Sequence, residues 1–195
     1  MGKYQDPTMP TKGEIFEYWK ERLFDLGFFI DWGEPTCWAC GEFWNGRYDI
    51  TNPNASHEKI LKAWEKAPLQ RCHIVPRSLG GSNESSNLFL MCKECHDLAP
   101  NTSIPEIFFQ WACKQSFAER QFFQMQQSMK AFDISDELHP LLNDISQTKE
   151  FGDFLRSYAS LHRSQSGYSG LGKRLTASTF YGLLCYYYKN HYPPT

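Results

Sequence analysis

Two Cys-x-x-Cys pairs constrain the fold of this chain more than any other feature of its sequence. Cys37 and Cys40 form the first pair, and Cys92 and Cys95 repeat its spacing after 51 intervening residues. Each pair can offer two thiolates to one ion, and four thiolates complete the closed tetrahedral shell of structural zinc. The pairs therefore predict a stabilising zinc site. An iron ion in the same geometry and four buried cysteines without a metal are the alternatives left open.

The cysteine count also bears on where the protein functions. Seven cysteines are present, and an odd number argues against a closed disulfide framework. No apolar run reaches membrane-spanning length, and the N-terminus lacks the charged-then-apolar plan of a signal peptide. We therefore expect a cytoplasmic protein without membrane association, in which paired cysteines bind metal. A redox protein is disfavoured because neither pair opens a βαβ unit.

Hydrophobic periodicity predicts a mixed α+β chain. Thr11 and Glu14 have the spacing of a capping box, and apolar residues then recur at helical intervals as far as Phe29, so we predict a helix that ends near Trp32. A second helix is predicted from Ser56 to Ala67. A strand near 72–75, a turn and a second strand over LFLMC would then form a hairpin that leads into a helix.

The remaining sequence is predicted to be helical. Apolar residues recur at helical intervals over 105–132 and over 148–163, and a last helix is predicted from 178 to 190. The segment SQSGYSGLG, residues 164–172, has the composition of a flexible connector.

His73, Asn87 and His96 form a second constellation beside the cysteine pairs. In RCHIVPRSLGGSNESSNLFLMCKECH, His73 and Asn87 frame a Gly-Gly turn, and His96 directly follows the last cysteine. A lone histidine beside a strand is usually a satisfied core or surface residue. The order and spacing of the whole pattern, over about residues 37–100, nevertheless resembles the HNH endonuclease family.

This resemblance implies a ββα-metal fold, in which two antiparallel strands and a helix surround one divalent ion. His73 would be the general base that deprotonates the attacking water, a role suited to an imidazole that is neutral near pH 7. Asn87 would brace the loop or contribute an oxygen to the ion, and His96 would be an ion ligand. The ion, Mg²⁺, Mn²⁺ or another divalent cation, would contact the scissile phosphate and stabilise the leaving 3′ oxygen.

Cys72 departs from the family pattern, because many members have an aspartate ligand immediately before the base histidine. A thiolate is a poor ligand for Mg²⁺. Cys72 is therefore a buried bystander, with Asp97 as a further carboxylate near the ion, or the site takes a softer ion such as Mn²⁺, Ni²⁺ or Zn²⁺, or the site is inactive. We favour the first interpretation.

Basic residues suggest where DNA would bind, although the net charge of the chain is −2. Arg71 and Arg77 flank His73, and either could clamp a phosphate; solvated charges are the alternative, and we favour phosphate contact for Arg77. After Asp153 the sequence has no acidic residue and five lysines or arginines, interleaved with tyrosines. Lys173 and Arg174 are the best candidates there for contacts to DNA, whereas simple helix packing of this region is the alternative.

Together these features predict an α+β protein with an HNH core of the ββα-metal type and a structural zinc, surrounded by N-terminal and C-terminal helices. We expect a helical arm over 1–36, a nuclease core over 37–103 and a helical accessory region over 104–195. The predicted function is metal-dependent hydrolysis of DNA phosphodiester bonds, and a homodimer would suit palindromic DNA. The alternative is a catalytically inactive, zinc-containing module that binds nucleic acid.

Overall fold

The computed structural model describes residues 9–43, 54–160, 162–163 and 173–192, with backbone alone for 162–163 and 173–174. The chain divides into two compact units, Met1–Phe117 and Ala118–Thr195. Each unit has its own hydrophobic core. The predicted connector over 164–172 lies outside the described residues.

The first unit combines helices with one small sheet, so the predicted mixed α+β class is confirmed. Strands β1 and β2 pair antiparallel, with Cys72 opposite Phe89 and His73 opposite Leu88. Helix α3 follows β2 directly and packs against both strands. The elements are α1 Lys12–Trp19, α2 His57–Lys66, β1 Gln70–His73, β2 Leu88–Met91, α3 Lys93–Leu98 and α4 Pro105–Ala112, with 3-10 turns at Arg77–Leu79 and Ser85–Asn87.

Helix α1 starts as predicted but is shorter than expected. Its capping box is formed, because the Thr11 hydroxyl accepts a hydrogen bond from the Glu14 amide and the Glu14 carboxylate accepts one from the Thr11 amide. The helix ends at Trp19 rather than near Trp32. Turns follow, and Gly27 adopts a φ of 83°, a left-handed conformation that an α-helix does not contain.

Strand β2 is the centre of the first core. All four of its residues are fully buried, which accounts for the uninterrupted apolar run in the sequence. The Phe89 ring makes edge contacts with Trp19, Phe28, Trp38 and Phe108. Trp19 and Phe28, which belong to the predicted N-terminal helical arm, therefore share a core with the strands.

The second unit is helical with one short hairpin. Its core is formed by side chains from three of its helices: Leu142, Ile145, Phe151, Tyr181, Leu184, Cys185 and Tyr187. The elements are α5 Phe117–Ala131, which begins at the division between the units, α6 Leu138–Ser146, α7 Lys149–Tyr158, β3 His162–Arg163, β4 Lys173–Arg174 and α8 Ala177–His191.

Several predicted boundaries differ from those observed. The helix predicted over 105–132 is two helices, because turn-type bonds from Lys114 to Trp111 and from Gln115 to Ala112 end α4. Helix α7 ends at Tyr158 rather than at 163. Helix α6 and the β3–β4 hairpin were not predicted. The first compact unit extends beyond residue 103, because α4 contributes to its core; the functional division into arm, nuclease core and accessory region remains a prediction.

Within the described part of the chain, no helix is both long and apolar enough to cross a membrane.

Candidate metal centre and active site

The first cysteine pair lies in a tight turn. The Cys37 amide donates to the Glu42 carbonyl over 2.8 Å, and the Gly41 amide donates to the Cys37 carbonyl over 2.9 Å. Gly41 has a φ of 75°, a conformation that glycine adopts without steric cost. The turn therefore presents the two sulfurs on one side, as a metal-binding knuckle requires.

The second pair is built from the end of β2 and the start of α3. Cys92 is the N-cap residue of α3, and its sulfur accepts a hydrogen bond from the Cys95 amide over 3.4 Å. The Trp38 amide donates to the Leu90 carbonyl over 3.0 Å. This bond joins the first knuckle to β2, so the two pairs converge.

The four cysteine sulfurs lie close enough to share one ion. They are all within 4.8 Å of one another, and the Cys40 and Cys92 sulfurs are 3.9 Å apart. A tetrahedral zinc with bonds of about 2.3 Å needs sulfurs about 3.8 Å apart. All four side chains are buried. The cluster predicted from the sequence is therefore present, and it fits a zinc ion.

The proximity of the sulfurs changes how readily they ionise. Hydrogen bonding from Cys37 lowers the pKa of Cys92 to about 6 and lowers the pKa of Cys40. Hydrogen bonding with Cys40 raises the pKa of Cys37. Ionisation of some of the four thiols is thus favoured, whereas ionisation of the others is disfavoured. All four can be thiolates together only when a cation balances their charge.

His73 lies at the end of β1, where the loop towards β2 begins. Its side chain is half-buried, and its Nε2 atom lies 2.9 Å from the Asn83 Oδ1 atom. The Ile74 amide donates to the Asn87 carbonyl over 2.9 Å. The imidazole is therefore held between a strand and a loop that is bonded back to that strand.

Asn87 is a brace for this loop. Its Oδ1 accepts from the Val75 amide, and its Nδ2 donates to the carbonyls of Val75 and Ser82, each over 2.9 Å. Of the two roles that the resemblance implied for Asn87, these contacts favour bracing over donation of an oxygen to an ion.

The Gly-Gly turn is required for this bracing. A Cβ atom at Gly81 would lie 1.8 Å from the Val75 carbonyl oxygen and 2.8 Å from the Asn87 Nδ2 atom. Gly80 has a φ of 90°, in the left-handed region that favours glycine. The two glycines therefore allow the loop to approach the end of β1.

His96 lies on α3, one residue after the metal knuckle. Its side chain is 41% exposed, and its Nδ1 atom is 3.5 Å from the Asp97 Oδ1 atom. Asp97 also forms an ion pair with Lys93, and the hydrogen bond from Lys93 lowers the pKa of Asp97. Among the described residues, the only group of three or more His, Cys, Asp or Glu side chains close enough to hold an ion is the cysteine cluster.

Cys72 faces the core, on the opposite side of β1 from His73, since successive strand residues point to opposite faces. Its side chain is buried, and this burial raises the pKa of the thiol to about 12. Cys72 is therefore a neutral core side chain, as the bystander interpretation requires.

The candidate phosphate-binding arginines have different surroundings. The Arg71 Nη1 atom donates to the Pro10 carbonyl over 2.9 Å, so this side chain already joins β1 to the segment before α1. Arg77 is exposed in the 3-10 turn between His73 and Asn87. The exposure of Arg77 is compatible with a contact to phosphate, and its role in DNA binding remains a prediction.

Lys173 and Arg174 form strand β4 of the second unit. The backbone pairs Arg163 with Lys173 and His162 with Arg174. The hairpin thus brings together two parts of the acid-free C-terminal sequence, and its four residues are all basic or histidine. Their role in DNA binding remains a prediction.

Asn83 is the site residue that sequence reasoning missed. It lies among several small polar residues in GSNESSN, and its contact with His73 depends on the path of the loop. A carboxamide that follows the Gly-Gly turn is the one signal that could have drawn attention to it.

Residues 62–106 match the family model described as HNH endonuclease. This segment contains β1, β2, α3 and the three residues His73, Asn87 and His96. The resemblance inferred from the sequence is therefore confirmed for this segment, and it indicates a nuclease-like function with nucleic acid as substrate. Searches of curated proteins and of solved structures found no match to the chain.

Proposed function

We propose that this protein is a metal-dependent HNH endonuclease that hydrolyses DNA phosphodiester bonds. The observation that carries the proposal is the position of His73 at the end of β1, facing a braced loop, within a segment that matches HNH endonucleases. In this proposal β1, β2 and α3 form the ββα core, and the cysteine cluster holds a structural zinc ion beside it.

His73 acts as the general base in this reaction. The neutral imidazole takes a proton from a water molecule while the water oxygen attacks phosphorus, and the bond from phosphorus to the 3′ oxygen breaks. Asn87 keeps the loop in place, and Arg77 contacts the phosphate. The leaving oxygen takes up a proton from solvent, so the products are a 5′ phosphate and a 3′ hydroxyl.

In this proposal His96 on α3 is the protein's imidazole ligand to a divalent ion, although the described donors around it do not form a ligand set of three or more. His96 would hold this ion, because its side chain is exposed and a carboxylate lies near one ring nitrogen, as for many metal-binding histidines. Water and the substrate phosphate would complete the shell, since Cys72 is buried and Asn87 is engaged in the loop. The ion, Mg²⁺, Mn²⁺ or another divalent cation, would neutralise charge on the phosphate and stabilise the leaving oxygen.

One observation favours the alternative function, a zinc-containing module that binds nucleic acid without cleaving it. A buried thiol occupies the position where many HNH endonucleases have a carboxylate. Nicking of supercoiled plasmid with EDTA or with added Mg²⁺, Mn²⁺, Ni²⁺ or Zn²⁺ distinguishes the two functions. Binding without nicking in every ion would support the inactive module.

His73→Ala tests the assignment of the base. We expect nicking to fall at least about 100-fold, within the range that general bases contribute, with zinc content and DNA binding retained. His139→Ala is the matched control, because this half-buried histidine lies in the second unit. Full nicking by His73→Ala would refute the role of His73.

The homodimer remains a prediction about the same protein.

A further inference from the structure

The contact between His73 and Asn83 bears on which ring nitrogen of His73 carries a hydrogen. The His73 Nε2 atom lies 2.9 Å from the Asn83 Oδ1 atom. A carboxamide oxygen only accepts hydrogen bonds, so for this contact to be a hydrogen bond the hydrogen must be on Nε2. The lone pair available to take up a proton is then on Nδ1.

Asn83 is held by the same network that braces the loop. Asn87 donates to the carbonyl of Ser82, the residue immediately before Asn83, and to the carbonyl of Val75 on the β1 side of the loop. The Gly81 amide donates to the Pro76 carbonyl over 3.0 Å. The position of Asn83 relative to β1 therefore follows from backbone bonds on both sides of the turn.

We propose that Asn83 is a positioning residue for His73: it keeps the hydrogen on Nε2 and orients the ring, so that Nδ1 is the nitrogen that accepts the proton from water. The effect of Asn83 on catalysis rests on the proposed nuclease function, but the tautomer of His73 can be measured without DNA cleavage. A histidine base can act only when its unprotonated nitrogen faces the proton to be removed. Asn83 would thus act through His73, without touching the substrate.

The first test is the ring state of His73 in the full-length protein, measured by ¹⁵N NMR above the pH at which imidazoles titrate, with His73→Gln used to assign the resonances. We expect a single tautomer with the hydrogen on Nε2. In Asn83→Ala we expect a mixture of tautomers, whereas Asn83→Asp keeps an acceptor oxygen and should keep the hydrogen on Nε2. Ser86→Ala is the control, since the exposed Ser86 side chain bonds to Glu84 in the same loop.

The second test is the rate of plasmid nicking by the same variants. Asn83→Ala should be about 3- to 10-fold slower, the scale of one lost hydrogen bond, while Ser86→Ala should stay within about twofold of the wild type. A hydrogen on Nδ1 in the wild type, or an unchanged tautomer and rate in Asn83→Ala, would overturn the inference. If neither the wild type nor any variant nicks DNA, the nuclease proposal fails. The role of Asn83 is judged separately by NMR: a mixture of tautomers in the wild type, or a hydrogen on Nδ1, would overturn it.

Discussion

Replacing one cysteine of the cluster by alanine should cost far more stability than replacing an equally buried cysteine outside it. Cys37 and Cys72 provide this comparison. They are 1% and 5% exposed and lie in the same core, so the loss of their buried sulfur atoms should have similar effects. Only Cys37 belongs to the cluster of four, and the difference between the variants therefore isolates the metal.

The two costs differ by several kcal/mol. A small truncation in a core costs about 1 kcal/mol, which lowers the melting temperature of a domain of this size by about 4 °C. Structural zinc contributes about 10–16 kcal/mol to the folding of zinc-finger peptides, whereas whole domains are stable by about 5–15 kcal/mol. We therefore expect the first unit to be unfolded at 25 °C, or to melt at least about 15 °C lower, in Cys37→Ala.

Tryptophan fluorescence can follow this unit separately. All six tryptophans precede residue 118, so their emission reports on the first unit and not on the second. Elemental analysis after dialysis should find about one zinc per chain in the wild type and in Cys72→Ala, and far less in Cys37→Ala. A metal-free Cys37→Ala protein that melts within a few degrees of Cys72→Ala would show that the cysteines are only core residues.

Two further predictions concern residues around the proposed reaction. Cys72→Ala should retain nicking with Mg²⁺ or Mn²⁺ within about threefold, because burial raises the pKa of this thiol to about 12 and leaves it a poor ligand; an inactive variant that is folded and zinc-loaded would contradict this. The double change Lys173→Ala with Arg174→Ala should reduce the slope of log affinity against log salt by about 1.8, if each residue contacts one phosphate of duplex DNA. Lys62→Ala, at an exposed lysine of α2 that pairs with Glu58, should leave the slope unchanged. An unaltered slope in the double variant would assign the C-terminal region to packing.

The sequence was most informative where function depends on local spacing. The two Cys-x-x-Cys pairs predicted the cysteine cluster, and the Gly-Gly pair predicted the turn after β1. Both features depend on residues a few positions apart, so local sequence is enough to indicate them. The end of α1 was harder to predict. Leu23 and Phe28 lie after the helix but are buried in the core, so the apolar pattern of the sequence continues beyond the last helical residue. Helix α6 was not predicted; it has Pro140 in its first turn, where proline is tolerated.

Asn83 and Asn87 show a different limit of sequence reasoning. Both are asparagines in one polar loop, and either could in principle have contacted the histidine. Their roles are separated by the backbone: Asn87 bonds to Val75 and Ser82, and this leaves Asn83 beside His73. Such a choice depends on the path of the whole loop, which residue types and spacing do not specify.

The proposed catalytic groups are supported in two different ways. His96 follows Cys95, and its amide donates to the carbonyl of Cys92 over 2.9 Å, so the position of this proposed ligand depends on the metal knuckle. His73 is instead in contact with the carboxamide of Asn83, in a loop that the carboxamide of Asn87 braces. Loss of zinc should therefore displace the proposed ion ligand directly, whereas changes in the loop should act on the base while the metal stays bound. Zinc content thus separates the two kinds of defect: variants of the loop asparagines should keep zinc while they lose activity, and variants of the cysteines should lose both together.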